Sequence, residues 1–418
     1  MLIIMNKPQK NFSKLKISAL AKALLLVSCF AMLSGIAIAQ ETGGELGGGA
    51  GIFRPKNPEA KRSGAPARPV RPRMNPAEVE AHFQDALADG NDARDARKFA
   101  VAEAAYRKAL EVKPRDARAH YAIGNVFVDQ QRWEEAEKSY RGAYDITPND
   151  PEVLVALSYV LVQPRTGASN ARRFTDAENF ARRATQLAPN NAIAFDRLGV
   201  AMTTRGIYNN DSEAAFRHAS ELDPNFVVAR VHLAGVLWRM NRSDEAATLY
   251  RSAAADAKDA STLVLIADAV QAAQKWNESE PLLRRALEMD PRNPGALYLM
   301  GRYYSVNQKY SEAANVLKTA AEVNPKSFII RTVLARAYLG AGSYDDAFRT
   351  YEQAATLASA ADRKGLAGQF GFTGVGDGYM SGGRAHDALR AYEKALELDP
   401  NNADLPAKIA AARAKSKS

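Results

Sequence analysis

The sequence predicts an all-α protein built from about nine similar helical hairpins. Three observations carry that expectation. The segment YRKALEVKP at 106–114 recurs as YRGAYDITP at 140–148, LRRALEMDP at 283–291, LKTAAEVNP at 317–325 and YEKALELDP at 392–400, with weaker copies between. Most copies are 33–35 residues apart, enough for two helices and their turns. Columns of small residues also keep their place in every copy, which composition alone does not produce.

Before the repeats comes a different kind of sequence. Lys14, Lys16 and Lys22 precede an uncharged run from Ala23 to Ala39 that ends in Ala37-Ile38-Ala39. A basic flank, an apolar core and a small-x-small site form a secretory signal pattern, so 1–39 is expected to direct export with cleavage after Ala39. Two other routes stay open. The run of 17 residues approaches the length of a membrane anchor. Leu26-Val27-Ser28-Cys29 also has the form of a lipidation site, so membrane attachment through 17–39 or a lipidated Cys29 is an alternative. Each route places the body outside the cytoplasm, periplasmic or secreted. Residues 40–74 follow as a Gly/Pro/Arg-rich linker, with too few apolar side chains to offset chain entropy.

Charge narrows the functional classes. The chain holds 56 Lys and Arg against 47 Asp and Glu, a formal net charge of +9. Five of the bases lie in 1–39 with no acid, and seven lie in 40–74 with three acids. The remaining 44 bases are matched by 44 acids in 75–418. A neutral body lacks the basic footprint of a phosphate-binding surface, so no nucleic-acid partner is expected. Cys29 is the only cysteine, and the body therefore has no thiol nucleophile or thiolate ligand.

Nine units align, starting near Phe83, Ala117, Pro151, Ala192, Val227, Ala260, Pro294, Phe328 and Gln369. One column reads Gly90, Gly124, Ser158, Gly199, Ala234, Ala267, Gly301, Ala335 and Gly376. A second column, seven residues before the third, runs from Ala102 and Ala136 to Ala388, with Ser212 and Ser279 as its exceptions. The third is alanine in all nine units, from Ala109 to Ala395. Small residues are expected on both helices wherever a hairpin closes tightly, since a large one would overpack the contact. Pro114, Pro148, Pro189, Pro224, Pro291, Pro325 and Pro400 stop the second helix; units five and eight have Lys258 and Ser359 there. The register is broken by about seven extra residues near 163–173 and about seven more near 360–368. Four glycines in Gly371–Gly378 weaken the first helix of the ninth unit by roughly 1 kcal/mol each relative to alanine, which predicts a soft segment.

These columns, with Phe195-Asp-Arg-Leu198-Gly199 and Leu297-Tyr-Leu-Met300-Gly301-Arg-Tyr-Tyr304 on first helices, closely resemble the tetratricopeptide repeat family. The resemblance covers about 83–402. It implies a right-handed α-solenoid over 75–402, closed by a capping helix and tail at 403–418. It also implies a concave groove walled by first helices. Helical spacing places Asn91, Arg94, Tyr121, Asn125, Tyr159, Trp238, Arg239, Tyr298, Arg302 and Arg336 on that wall as candidate ligand contacts. In the family, asparagine after the small residue often holds a ligand's backbone. The bland alternative is that Asn91 and Asn125 only bond neighbouring helices. The family's carboxylate clamp is not present: Leu87, Ala122, Glu152 and Ala156 stand where its other polar residues belong.

Catalytic patterns are missing. His82, His120, His218, His232 and His386 are scattered, with no HExxH pair, and neither a nucleophile elbow nor a phosphate loop occurs. The expectation is a non-enzymatic scaffold of the cell envelope that needs no cofactor and binds an extended peptide or partner helix. Alternatives are a recognition subunit for glycan or polymer synthesis, or a direct carbohydrate-binding module.

Overall fold

The computed structural model describes residues 75–165 and 170–417. The export segment 1–39 with Cys29 and the linker 40–74 lie outside the described residues, as do 166–169 of the third-unit insertion. The described residues are all-helical, with helices packed in consecutive pairs and a capping helix at the C-terminal end, as expected from the repeats. They fall into two compact units, 75–269 and 270–417.

The first unit contains α1 (Pro76–Asp95), α2 (Phe99–Val112), α3 (Ala117–Asp129), α4 (Trp133–Ile146), α5 (Pro151–Leu161) and α6 (Asn170–Leu187). It continues with α7 (Ala192–Thr204), α8 (Asn210–Leu222), α9 (Val227–Arg239) and α10 (Ser243–Asp256). The division between units falls within α11 (Ala260–Ala272). The second unit contains α12 (Trp276–Met289), α13 (Pro294–Val306), α14 (Tyr310–Val323), α15 (Phe328–Gly340) and α16 (Tyr344–Leu357). It ends with α17 (Ala360–Gly365), α18 (Phe372–Ser381), α19 (Ala385–Leu398) and α20 (Leu405–Lys415).

Two kinds of turn alternate, and local chemistry explains both. Between hairpins, most new helices open on a side-chain cap: Asp116 accepts from the Arg118 amide at 3.0 Å, Asp150 from Glu152 at 2.9 Å and Asn293 from Ala296 at 3.0 Å, whereas the helices that start at Val227 and Phe372 have none. Each cap satisfies an amide that the first helical turn leaves without a partner. Within hairpins the chain instead reverses through one left-handed residue. Arg97, Gln131, Asn241, Gln274 and Gln308 take this conformation, as do Gly206, Gly342 and Gly383. The following amide then reaches back to the helix, as Arg132 does to the Phe127 carbonyl at 2.8 Å and Arg384 to Tyr379 at 2.9 Å. The third hairpin, which carries the insertion, has no such residue among its described positions.

Packing within each hairpin corrects one detail of the sequence reading. In five of the hairpins the small residue of the first helix, a glycine, does not meet another small residue. It makes room for a large one. A Cβ on Gly90 would come within 3.0 Å of the Tyr106 ring. The same holds for Gly124 against Tyr140, Gly199 against Phe216, Gly301 against Leu317 and Gly376 against Tyr392. The invariant alanines, Ala109, Ala143 and their equivalents, are fully buried one turn farther along the second helix. The third unit, with Ser158 in the small column, has Ala181 where the ring would stand.

The glycines of α18 follow the same logic. Gly376 and Gly378 are buried, and their missing side chains leave space for the rings of Tyr392 and Tyr344. The insertion before α18 is tied down: Tyr351 donates to the Phe370 carbonyl at 2.6 Å, and Thr373 to the Ala367 carbonyl at 2.5 Å. At the end of the chain, α20 lays buried Leu405, Ile409 and Ala412 over α19 and closes its apolar face.

Candidate functional site

The first helices of residues 75–269 carry a run of polar and aromatic side chains, and the structure sorts the predicted contacts by what already holds them. Asn125 is buried, and its Oδ1 accepts a 2.7 Å hydrogen bond from the Tyr140 hydroxyl. Asn91, half-buried, is bound in the same way by Tyr106 at 2.7 Å. Both asparagines thus fasten the ring that fills the neighbouring glycine notch. Tyr121 is also core, with its ring 5.4 Å from that of Tyr140. Truncating Tyr121 would therefore disturb packing as well as any ligand contact.

Arg94 is buried and forms a two-point pair with Asp129 of the next first helix, Nε to Oδ2 at 2.5 Å and Nη2 to Oδ1 at 3.1 Å. Tyr159, half-buried, meets the Trp133 ring edge-on at 6.2 Å and carries the Arg197 guanidinium 5.1 Å from its ring centre. Arg197 in turn lies 3.5 Å from Asp196, a fully buried carboxylate whose Oδ1 is 2.7 Å from His232 Nδ1. Burial pushes the Asp196 pKa up, but its interactions with His232 and Arg197 outweigh it and hold the group below the usual carboxylate range.

The end of α9 is more open. Arg239 is exposed, and its guanidinium lies over two rings, 5.5 Å from the centre of Trp238 and 5.2 Å from that of Tyr208. Trp238 and Tyr208 are both half-buried. Tyr208, Arg197 and His232 were not among the predicted contacts. Arg197 and His232 lie on first helices, and Tyr208 lies in a turn, where helical periodicity gives no signal.

The remaining candidates belong to residues 270–417. Tyr298 is buried, and Arg302 lies over Trp276 and Tyr298 at 5.5 and 5.8 Å. Arg336 is half-buried beside Tyr351; burial pushes that phenol up and Arg336 pulls it partly back. Among the described residues, no three His, Cys, Asp or Glu side chains gather as a metal site would require. No described helix is long and apolar enough to cross a membrane.

Comparison with known proteins bears on what this scaffold is. One model described as tetratricopeptide repeat matches residues 87–151 and 298–362, and a second matches 375–402. The chain carries tetratricopeptide repeats. No curated protein matches the sequence. Among solved structures, a tetratricopeptide repeat protein from Parabacteroides merdae is 16% identical, with 60% of this chain and 97% of that one covered and a TM-score of 0.47. The pilF protein of Pseudomonas aeruginosa is 19% identical over 51% of this chain and 94% of its own, with a TM-score of 0.41. Human IFIT1, solved as a dimer with m7Gppp-AAAA, is 15% identical over 77% of each chain, with a TM-score of 0.47. Tetratricopeptide repeats generally serve as protein-interaction scaffolds and are not themselves catalytic.

Proposed function

We propose that this protein is a non-enzymatic scaffold of the cell envelope and that the first-helix face of residues 75–269 receives an extended peptide or a partner helix. The observation that carries the reading is the difference between the two ends of that face. Around Asn91, Asn125 and Tyr121, side chains are used in packing. At Tyr208, Trp238 and Arg239, rings and a cation stay partly or fully accessible. Aromatic residues and arginine are the types that dominate interface energetics. The export pattern ending at Ala39 supports the envelope.

Site-specific photocrosslinking in living cells tests the proposal. A crosslinker at Thr203 or Gly235, on first helices, should capture a discrete protein partner, whereas one at Lys138 or Ser252, on second helices, should not. Capture from the second helices alone would overturn the assignment of the face. An alkaline phosphatase fusion after residue 75 tests export, and an inactive fusion would remove the envelope reading.

A further inference from the structure

We infer that Arg239, which lies over the rings of Tyr208 and Trp238, is the receptor for one carboxylate of the bound peptide, so that the face selects a segment in which an acidic residue adjoins an apolar one. This rests on the first-helix face being the binding surface.

Five arginines lie on the first helices of the described residues in 75–269. Four have a carboxylate partner: Arg94 with Asp129 at 2.5 Å, Arg118 with Asp116 at 2.8 Å, Arg197 with Asp196 at 3.5 Å and Arg230 with Asp256 at 2.8 Å. Arg239 is the exception. Its guanidinium lies over the two rings, at 5.2 and 5.5 Å, and the residue is exposed. A cation in the last turn of a helix suits the helix dipole, which accounts for a base at this position. The dipole does not account for two rings beside it.

Cation–π contact with the rings does not use up the N–H donors of the guanidinium, which a planar carboxylate can accept from at two points. The rings also restrict the long side chain before the ligand arrives, so less freedom is lost on binding. Their accessible parts supply an apolar contact beside the charge. The size of the ligand charge follows from the pairing of the other arginines. A uronate polymer or a nucleic acid would need a row of unpaired cations. One unpaired arginine on this face calls for one carboxylate, as an Asp or Glu side chain within a peptide supplies.

A displayed library of random twelve-residue peptides, sorted against purified full-length protein and against Arg239→Gln, tests the inference. Wild-type protein should enrich Asp or Glu beside Leu, Ile or Phe, and Arg239→Gln should keep the apolar preference and lose the acidic one. In fluorescence anisotropy, changing the acidic residue of an enriched peptide to its amide should weaken wild-type binding about tenfold and leave binding to Arg239→Gln unchanged. Arg239 is exposed, and equal melting temperatures would show that the variant is folded. Acidic enrichment that survives Arg239→Gln would overturn the inference while leaving the binding face in place. Enrichment of no peptide by either protein would overturn both. Arg239-dependent binding of polyuronate or single-stranded RNA, with no acidic peptide preference, would also overturn it.

Discussion

Tyr140 crosses the second hairpin to donate a 2.7 Å hydrogen bond to Asn125 while its ring occupies the space left by Gly124. The same pair of relationships joins Tyr106 to Asn91 and Gly90, and Tyr392 to Asp377 and Gly376. One side chain therefore satisfies packing and polar requirements at once. Burial pushes the Tyr140 phenol well above its usual pKa, so it remains a donor throughout the range in which the protein works.

Gly124→Ala sets two effects against each other. Helix propensity alone would stabilise the variant by about 1 kcal/mol. Overpacking against the fully buried Tyr140 ring should cost about 1–3 kcal/mol. The expected net result is destabilisation by up to about 2 kcal/mol in urea unfolding. A more stable variant would show that the notch is not a steric requirement.

Tyr140→Phe keeps the ring and removes the donor. The loss should be about 1–2 kcal/mol, because Asn125 Oδ1 loses this hydrogen bond inside the core. Denaturation of the single variants and the pair with Asn125→Ala gives the coupling; a coupling near zero would mean that the bond contributes nothing net.

The within-hairpin turns make an opposite pair of predictions. Gln131 has φ 57° and Gly342 has φ 75° at equivalent turns. Gln131→Gly should relieve left-handed strain and raise stability by about 0.5–1 kcal/mol after glycine's extra chain entropy is included. Gly342→Ala should lower it by about 1 kcal/mol. Thermal melts of both variants, compared with the parent, would show the two signs.

Acid titration addresses the second unit. Hydrogen bonds from Arg384 and Tyr379 lower the Asp345 pKa from 3.8 to about 2. A depressed folded-state value means that the contribution to stability is complete above the ordinary value and is lost as pH falls toward 2. Because Asp345 is largely exposed, solvent screening makes that contribution small, and the titration itself is the better readout. Carboxyl NMR should place the midpoint near 2 in the parent and nearer the ordinary value in Arg384→Ala. An unchanged midpoint would remove Arg384 as the main cause.

The fold class was legible because hairpin packing repeats a size pattern, and Ala109, Ala143 and Ala184 can be aligned without coordinates. The partner of each glycine was not. Sequence shows that Gly90 or Gly124 is small, but only the approach of the second helix reveals which side chain fills the space. The left-handed turns were hidden for a related reason. Arg97, Gln131 and Gln308 share a backbone conformation and no side-chain signature. At the candidate site, helical spacing identified Trp238 and Arg239 but could not distinguish Asn125, which is enclosed, from Arg239, which is open. Tyr208 joins Trp238 and Arg239 from a turn, where periodicity carries no information.

Hydrogen exchange on the purified protein, with and without the partner captured by photocrosslinking, tests the central claim most directly. Binding at the first-helix face should slow exchange in Ala192–Thr204 and Val227–Arg239 and leave Asn210–Leu222 and Ser243–Asp256 at their free rates. Protection confined to the latter two helices would contradict the account.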